Sequence, residues 1–463
     1  MNSRHDILIV GAGPAGMAAA IELRRLGFAP LVVDEQSAPG GQIWRDVERP
    51  RPDALRNALG PDYAAGAEVA GQFRASGVDY RPGTRMWHIE PGLRVFLSQA
   101  GKAFVAEPKA LLLATGAQER PAPIPGWTLP GVLTVGAAQI LMKGSGQIPE
   151  RPVWIAGSGP LPILYMRQLV AAGGQVAGYL DTTPRGAALR ALPHLRSALR
   201  GWADLRKGLA WMRALKAGGL HIEKHVTDLV ATGTERLEAL SYRTADGKAH
   251  RVEAEVLLLH EGVVPSIHGT LSVDCAHVWD EAQAALRPAL DDWGMTSVEG
   301  LYVAGDGAGI AGVRAALARG RLAAQGIAAR LGREAGAAEV AGARAELRAA
   351  SASRGFLDAV FPAPGSSVEI PDDTIVCRCE ELTAGEIRAA ARIHRGGPNQ
   401  VKAVTRCGMG PCQGRQCGYT VNRILASAYG QSQADVGFFR IRPPLKPVTL
   451  QELAALDEGR EAP

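Results

Sequence analysis

Thiols are nearly absent from most of this 463-residue chain: Cys275 stands alone, and the other five of six cysteines lie between positions 377 and 417. A secreted disulfide framework spreads its cysteines through the fold, so this clustering points to a metal site in a reducing, cytoplasmic compartment. No Cys-x-x-Cys pair occurs upstream of that cluster or near Cys275, which excludes dithiol-based disulfide reduction. No run approaches the roughly 20 apolar residues that cross a bilayer. The apolar stretch ILIVGAGPAGMAAAI is broken by glycines and Pro14 and lacks the charged lead-in of a signal peptide. The chain is therefore expected in the cytoplasm, at most peripheral at the inner membrane face. With aromatics at 5% and a formal charge of only +5, no nucleic-acid footprint exists. No Ser-His-Asp set, carboxylate pair or activated lysine emerges, so no catalytic acid or base is assigned.

What is present begins with HDILIVGAGPAGMAAAIELRRLGFAPLVVDEQ, which reads as strand, tight turn, helix and strand. Gly11 permits the turn, Gly13 lets backbone approach a pyrophosphate, and Gly16 allows close helix–strand packing, with Pro14 and Ala15 opening the helix. Amide groups and the positive dipole end at that helix start favour phosphate. Asp34 closes the second strand, beside Glu35, where it can accept from ribose hydroxyls. NAD and FAD share this fingerprint, and other segments choose between them. Gly40-Gly41 and Gln42 follow the acids, Thr115-Gly116 ends a buried strand, and Gly305-Asp306 precedes a glycine-rich helix start. These motifs, in this order over residues 5–330, resemble the two-dinucleotide-domain flavoproteins that include glutathione and thioredoxin reductases. The resemblance implies FAD at this site, with Asp306 at the ribityl–phosphate region; another adenine nucleotide such as ATP is the alternative.

The pattern repeats in RPVWIAGSGPLPILYMRQLVAAGGQVAGYLD, with Gly157-x-Gly159 and a terminal Asp181. Pro162 stands at the third glycine position and no arginine cluster follows the second strand, which argues against NAD(P). Residues 183–217 are helical in propensity and hold eight Arg or Lys against Asp204 alone; a solvated helical excursion is expected, with a partner-docking or membrane-surface helix as alternatives. His260 and Glu261 are adjacent and face opposite sides of an extended chain, which argues against a catalytic pair.

From 336 to 371 the composition shifts to a helix and a linker, and TIVCRCEELTAGEIRAAARIHRGG then starts a new unit, with Thr383 and Glu386 spaced as a capping box. A Cys-x-Cys pair, a helical hairpin and a second cysteine group suit a small iron–sulfur cluster, because thiolates offset ferric charge and glycine-turn amides bond sulfur. Structural zinc prefers pairs two to four residues apart.

VCRCEE…TRCGMGPCQGRQC resembles the [2Fe–2S] domain similar to bacterioferritin-associated ferredoxin. That domain is fused to flavoproteins in the alpha subunits of opine oxidases, D-hydroxyproline dehydrogenases and hydrogen cyanide synthase. HEGVVPS, DDWGMTSVEGLYVAGDGAGIAG and RIRPPLKPVTLQELA extend the resemblance over nearly the whole chain. It implies two Rossmann-like dinucleotide-binding domains in an α/β fold plus a small helical cluster domain. The expected divisions are 1–146 (FAD domain, first part), 147–270 (second nucleotide-like domain with the insert 183–217), 271–335 (return to the FAD domain), 336–371 (helix and linker), 372–430 (cluster domain) and 431–463 (tail). It further implies an electron-transfer subunit of a hetero-oligomer, partnered by an FAD-containing, amino-acid-oxidase-like beta subunit, with an FMN at the subunit interface and a small third subunit. A self-sufficient NAD(P)H-dependent reductase and a non-catalytic scaffold are the competing expectations. The implied cluster ligands are Cys377, Cys379, Cys412 and Cys417: 32 residues separate Cys379 from Cys412 and only 27 separate it from Cys407, and the larger gap resembles the ferredoxin-like spacing. Cys407 is thereby expected just outside the cluster.

Overall fold

A computed structural model of the chain describes residues 5–363, 369–393 and 396–458. Parts of the expected linker (364–368) and of the tail (459–463) lie outside the described residues. Two parallel five-stranded sheets carry the architecture. In the first, Leu301–Val303, Ala110–Leu113, Ile7–Val10, Leu31–Asp34 and Asp79–Pro82 lie side by side. Ile7–Val10 and Leu31–Asp34 are buried along their whole length, which is why both read as continuous apolar runs rather than alternating ones. The helices Pro14–Arg25 and Val313–Arg330 cover this sheet through a shared core. Their contact is close because Gly320 carries no side chain: a Cβ there would lie 2.2 Å from Ala15 O.

The second sheet orders Ile222–Lys224, Val176–Asp181, Val153–Gly157, Val256–His260 and Val132–Thr134. An antiparallel ribbon of Ala117–Glu119 against Val263–Pro265 joins the two sheets. The chain leaves the first sheet through one strand of the ribbon and returns through the other. The insert folds as Ala187–Arg190, a 3-10 turn Leu192–His194, Leu195–Arg200 and Trp202–Ala217.

The C-terminal unit packs the helices Ala384–Ile393, Pro398–Thr405 and Gly418–Tyr429 around Val376, Ile387, Val401, Leu425 and Phe439. The Thr383–Glu386 capping box forms in both directions, with the Thr383 amide donating to Glu386 at 2.8 Å and the Glu386 amide donating to Thr383 Oγ1 at 3.3 Å. Past residue 436 the tail does not trail away. Leu445 N donates to Trp87 O at 2.6 Å and Arg85 pairs with Glu452 at 3.2 Å, which fastens the tail to the first domain. Among the described residues no helix is long and apolar enough to cross a membrane.

Candidate functional site

The first glycine turn is shaped by close approach. Gly11 has φ +106°, and a Cβ there would meet Ala114 O at 2.5 Å; one on Gly16 would meet Gly11 O at 1.9 Å. Gly13 faces Gly41, whose own Cβ would stand 2.9 Å from Gly13 Cα, so two side-chain-free backbones confront each other. No side chain caps the helix that begins at Pro14 and Ala15, which leaves its first-turn amides for an anionic group. Asp34 is buried and both its oxygens are engaged: Ala12 N donates to Oδ2 at 2.5 Å and Gln36 N to Oδ1 at 2.7 Å. Burial raises its pKa, and the Gln36 and Ala12 amides oppose that rise. Glu35 is exposed and ion-paired with Lys446 of the tail, a partner no local pattern announces.

The remaining cradle residues converge from other segments. The Gln42 carbonyl accepts from Lys143 Nζ at 3.2 Å, and Lys143 also donates to Gln139 at 2.9 Å. Burial pushes the Lys143 amine down to about 7, helped by Arg45 nearby. Thr115 Oγ1 lies 3.4 Å from Ser266 O, and Gly116 takes φ +66° with open space beside it. Asp306 Oδ1 accepts from Ala311 N (3.0 Å) and Gly312 N (3.2 Å), which sets the turn after Gly305 and aims the start of the helix Val313–Arg330. An uncapped helix start, facing glycine backbones and an acid at the strand end fit the pyrophosphate and ribose of FAD.

The second glycine turn differs. A Cβ on Gly157 would stand 1.8 Å from His260 O, and the His260 ring lies 3.6 Å from the corresponding position on Gly159. The following helix begins with Pro160 and carries Pro162 two residues later, so two of its first three residues lack the amide hydrogen that would hold a phosphate. His260 is buried, and its Nδ1 lies 2.5 Å from Glu119, which also accepts from Gly136 N at 2.8 Å. That partner, 141 residues away, left no local signal in the sequence. Glu261 turns instead to Thr182 at 3.3 Å, and burial raises its pKa against His260 and Arg423. Arg120, pushed down to about 10 by burial, donates to Gln283 O and Ala284 O and stacks 5.3 Å over the Tyr419 ring of the C-terminal unit.

The five clustered cysteines divide into two groups. Cys377, Cys407 and Cys417 are buried with their sulfurs within 4.8 Å of one another. Cys379, exposed, and Cys412 form the other group, joined by a backbone and a side-chain hydrogen bond. Cys407, which the spacing set apart, has its sulfur 4.0 Å from that of Cys417. The reason is the loop itself. Gly408 and Gly414 press against Phe439, and Gly410 presses against Cys379, where a Cβ would come within 2.2 Å of the cysteine's own. That wrap returns position 407 to the core. The thiols of Cys407 and Cys417, and more weakly the Gly408 and Glu380 amides, bond Cys377 sulfur and push its thiol far down, while donating to that sulfur pushes Cys407 and Cys417 up. All-sulfur donors with backbone amides aimed at sulfur, set in an apolar core, fit a [2Fe–2S] cluster.

This loop touches the flavin side directly. Gln118 Nε2 donates to Arg415 O at 2.9 Å, two residues beyond Gly116. His268 Nε2 lies 3.0 Å from Gln413 O, and burial drives its pKa down to about 3, so the neutral ring donates. On the other side, Trp127 Nε1 donates to Ile375 O at 2.7 Å while Arg378, between two cysteines, stacks 5.2 Å over its ring.

Residues 5–320 match the family model of pyridine nucleotide-disulphide oxidoreductases, and residues 375–427 match the BFD-like [2Fe-2S] binding domain. The chain is 43% identical to an opine oxidase subunit of Rhizobium meliloti (strain 1021), over 98% of this chain and 99% of that one. It is 34% identical to hydrogen cyanide synthase subunit HcnB of Pseudomonas aeruginosa, over 98% and 99%. Among solved structures, L-proline dehydrogenase from P. horikoshii superposes with a TM-score of 0.71 at 19% identity, covering 97% of this chain and 79% of that one, and shares the fold.

Proposed function

The chain belongs to the pyridine nucleotide-disulphide oxidoreductase family, as an FAD-dependent oxidoreductase with a [2Fe–2S] domain, and from that premise we propose that it is the electron-transfer subunit of a heteromeric amino-acid or opine dehydrogenase. The C–N bond is oxidised on a partner, an amino-acid-oxidase-like flavoprotein, and a small third subunit with an FMN at the subunit interface completes the assembly. Relatives of the same length named as subunits support a multi-subunit enzyme. A flavin exchanges electrons in pairs or singly and a [2Fe–2S] cluster carries them one at a time.

One observation carries the reading: the cysteine loop hydrogen-bonds to the ribbon that leaves Thr115-Gly116, through Gln118 and Arg415. Gln118 and His268 hold the cluster loop against the flavin domain, and Arg120 anchors the ribbon from below through Gln283 and Tyr419. Pro160, Pro162 and the His260 ring, meanwhile, occupy or disarm the place where a nicotinamide nucleotide's phosphates would sit. FAD is held by Gly11, Gly13, Pro14, Ala15, Gly16, Asp34, Glu35, Gly41, Gln42, Thr115, Gly116, Gly305 and Asp306. Cys377, Cys379, Cys412 and Cys417 would hold the cluster, with Cys407 beside Cys417.

The test is stopped-flow reduction of the cofactor-loaded chain. NADH and NADPH should leave its flavin oxidised over many turnover times, and amino acids or opines should do the same. Adding the co-purified partner with its substrate should bleach both the flavin and the cluster absorbance. Rapid bleaching by NADH, or amino-acid oxidation by the single chain, overturns the proposal.

A further inference from the structure

The first part of the insert, residues 187–202, is built inside out. Over residues 187–199 the buried positions are alanines, Ala187, Ala191 and Ala198, each at most 2% exposed, whereas the later helix Trp202–Ala217 buries Leu215 against the second sheet's core. Six large apolar side chains of the insert point the other way: Leu189, Leu192, Leu195, Leu199, Trp202 and Leu209 are between 46% and 70% exposed. Isolated exposed leucines need no explanation, but six large apolar groups over 21 residues of one segment form a surface that calls for a cover. Close packing explains the inversion locally. Gly201 lets the segment approach Ser353, where a Cβ would fall 2.7 Å from Ser353 Cβ, and Gly355 accommodates His194.

The charge pattern names the cover. Arg190, Arg196, Arg206 and Arg213 are exposed among these leucines, and the segment holds eight cations against one acid. A protein interface concentrates its energy in a few central anchors set in pockets. Here the turns, broken at Gly186, Pro193 and Gly201, repeat one unit instead: a leucine beside an arginine, at 189–190 and 195–196, then Trp202 and Leu209 with Arg206 and Arg213. That repetition suits a fluid anionic surface, with leucine and indole at the acyl boundary and guanidinium groups reaching phosphate. Trp211, the other indole of the segment, is engaged inward between Arg167 and Lys207, each 5.2 Å from its ring, so Trp202 alone is left for the interface. We infer that residues 187–213 are a docking surface for the face of an anionic phospholipid bilayer. No helix of the described residues spans a membrane, so the attachment is peripheral and reversible.

Flotation of the full cofactor-loaded chain with phospholipid vesicles tests this. The chain should float with vesicles containing phosphatidylglycerol at low salt and remain unbound with pure phosphatidylcholine. High salt should weaken binding by roughly tenfold or more, because surface cations lose their attraction within a Debye length. The double variant Leu192→Ser, Leu199→Ser should lose binding by a similar factor while its flavin and cluster absorbance stay unchanged; both leucines are exposed, so folding is preserved. Absence of binding to phosphatidylglycerol vesicles overturns the inference, and so does binding that the double variant leaves intact. If the wild-type chain ignores vesicles but the variant fails to co-elute with its partner subunit, the surface belongs to a protein and the lipid assignment falls.

Discussion

Five clustered cysteines beside a four-ligand site raise a question at the residue scale. Counting residues set Cys407 aside. The fold instead brings it to 4.0 Å from Cys417, because three glycines let the intervening loop double back on Phe439 and Cys379. Proximity alone does not make a ligand. Cys377 accepts from the Cys407 and Cys417 thiols and from the Gly408 and Glu380 amides, and Cys379 accepts from the Cys412 amide. The ligand set Cys377, Cys379, Cys412 and Cys417 proposed above leaves Cys407 as a neighbour of Cys417. Cys407→Ser should therefore keep the EPR signal of the reduced cluster, with g values shifted because a hydroxyl replaces a thiol next to ligand sulfur. Cys379→Ser and Cys412→Ser should each abolish it. Loss of the signal in Cys407→Ser, with Cys377→Ser retaining it, would exchange the two residues in the ligand set. The cysteines themselves were plain in the sequence, as were the glycines and acids of the first nucleotide turn. Glu119 and Lys446 were not. Each finds its partner across a domain boundary, His260 in one case and Glu35 in the other, and no period or motif encodes such a meeting.

At the scale of elements the sequence is more forthcoming, because strand and helix patterns are local. The two strand–turn–helix units, the capping box and the helical insert all form where their patterns lie. What local pattern misses is which helix packs on which. The flavin-side helix Pro14–Arg25 is covered by Val313–Arg330, about three hundred residues later, and their approach depends on Gly320 over Ala15. Gly320→Ala places a methyl group 2.2 Å from a backbone oxygen that cannot rotate away, so the helices must separate. Overpacking of this kind costs about 1–3 kcal/mol. It also moves Ala15 and its neighbours, which belong to the proposed flavin site. The variant should melt at lower temperature and release FAD faster on dilution. Gly342→Ala supplies the contrast: that glycine sits in the exposed helix Ala337–Ser351 with nothing within 4 Å, and alanine there should stabilise by up to about 1 kcal/mol. Equal melting shifts in both variants would show that the Gly320 contact is looser than its geometry implies.

For the whole molecule, the decisive feature is that the cysteine unit is fixed to both nucleotide domains rather than tethered by its linker. Gln118 and His268 grip its loop from the flavin side and Trp127 holds Ile375 from the other. Arg120 stacks on Tyr419, and the tail returns to Trp87 and Arg85. The order of the units along the chain announced a cluster domain, yet a bead on a flexible linker would have carried the same sequence motifs. The two arrangements differ in how cluster loss spreads. A small metal domain takes much of its folding free energy from its metal, so stripping iron should loosen residues 375–427 in either case. If the unit is fixed as described, amides in the ribbon 117–120 and 263–265 and in the helix His268–Ser272 should also exchange faster with deuterium, because their partners on the cysteine loop have moved. The sheet strands Ile7–Val10 and Val153–Gly157, which rest on buried cores of their own, should stay protected. Hydrogen-exchange mass spectrometry of the native and iron-stripped protein, compared segment by segment, reads this directly. Faster exchange confined to 375–427 would mean that the cysteine unit moves independently, and the direct contact between cluster loop and flavin ribbon on which the relay rests would fail with it.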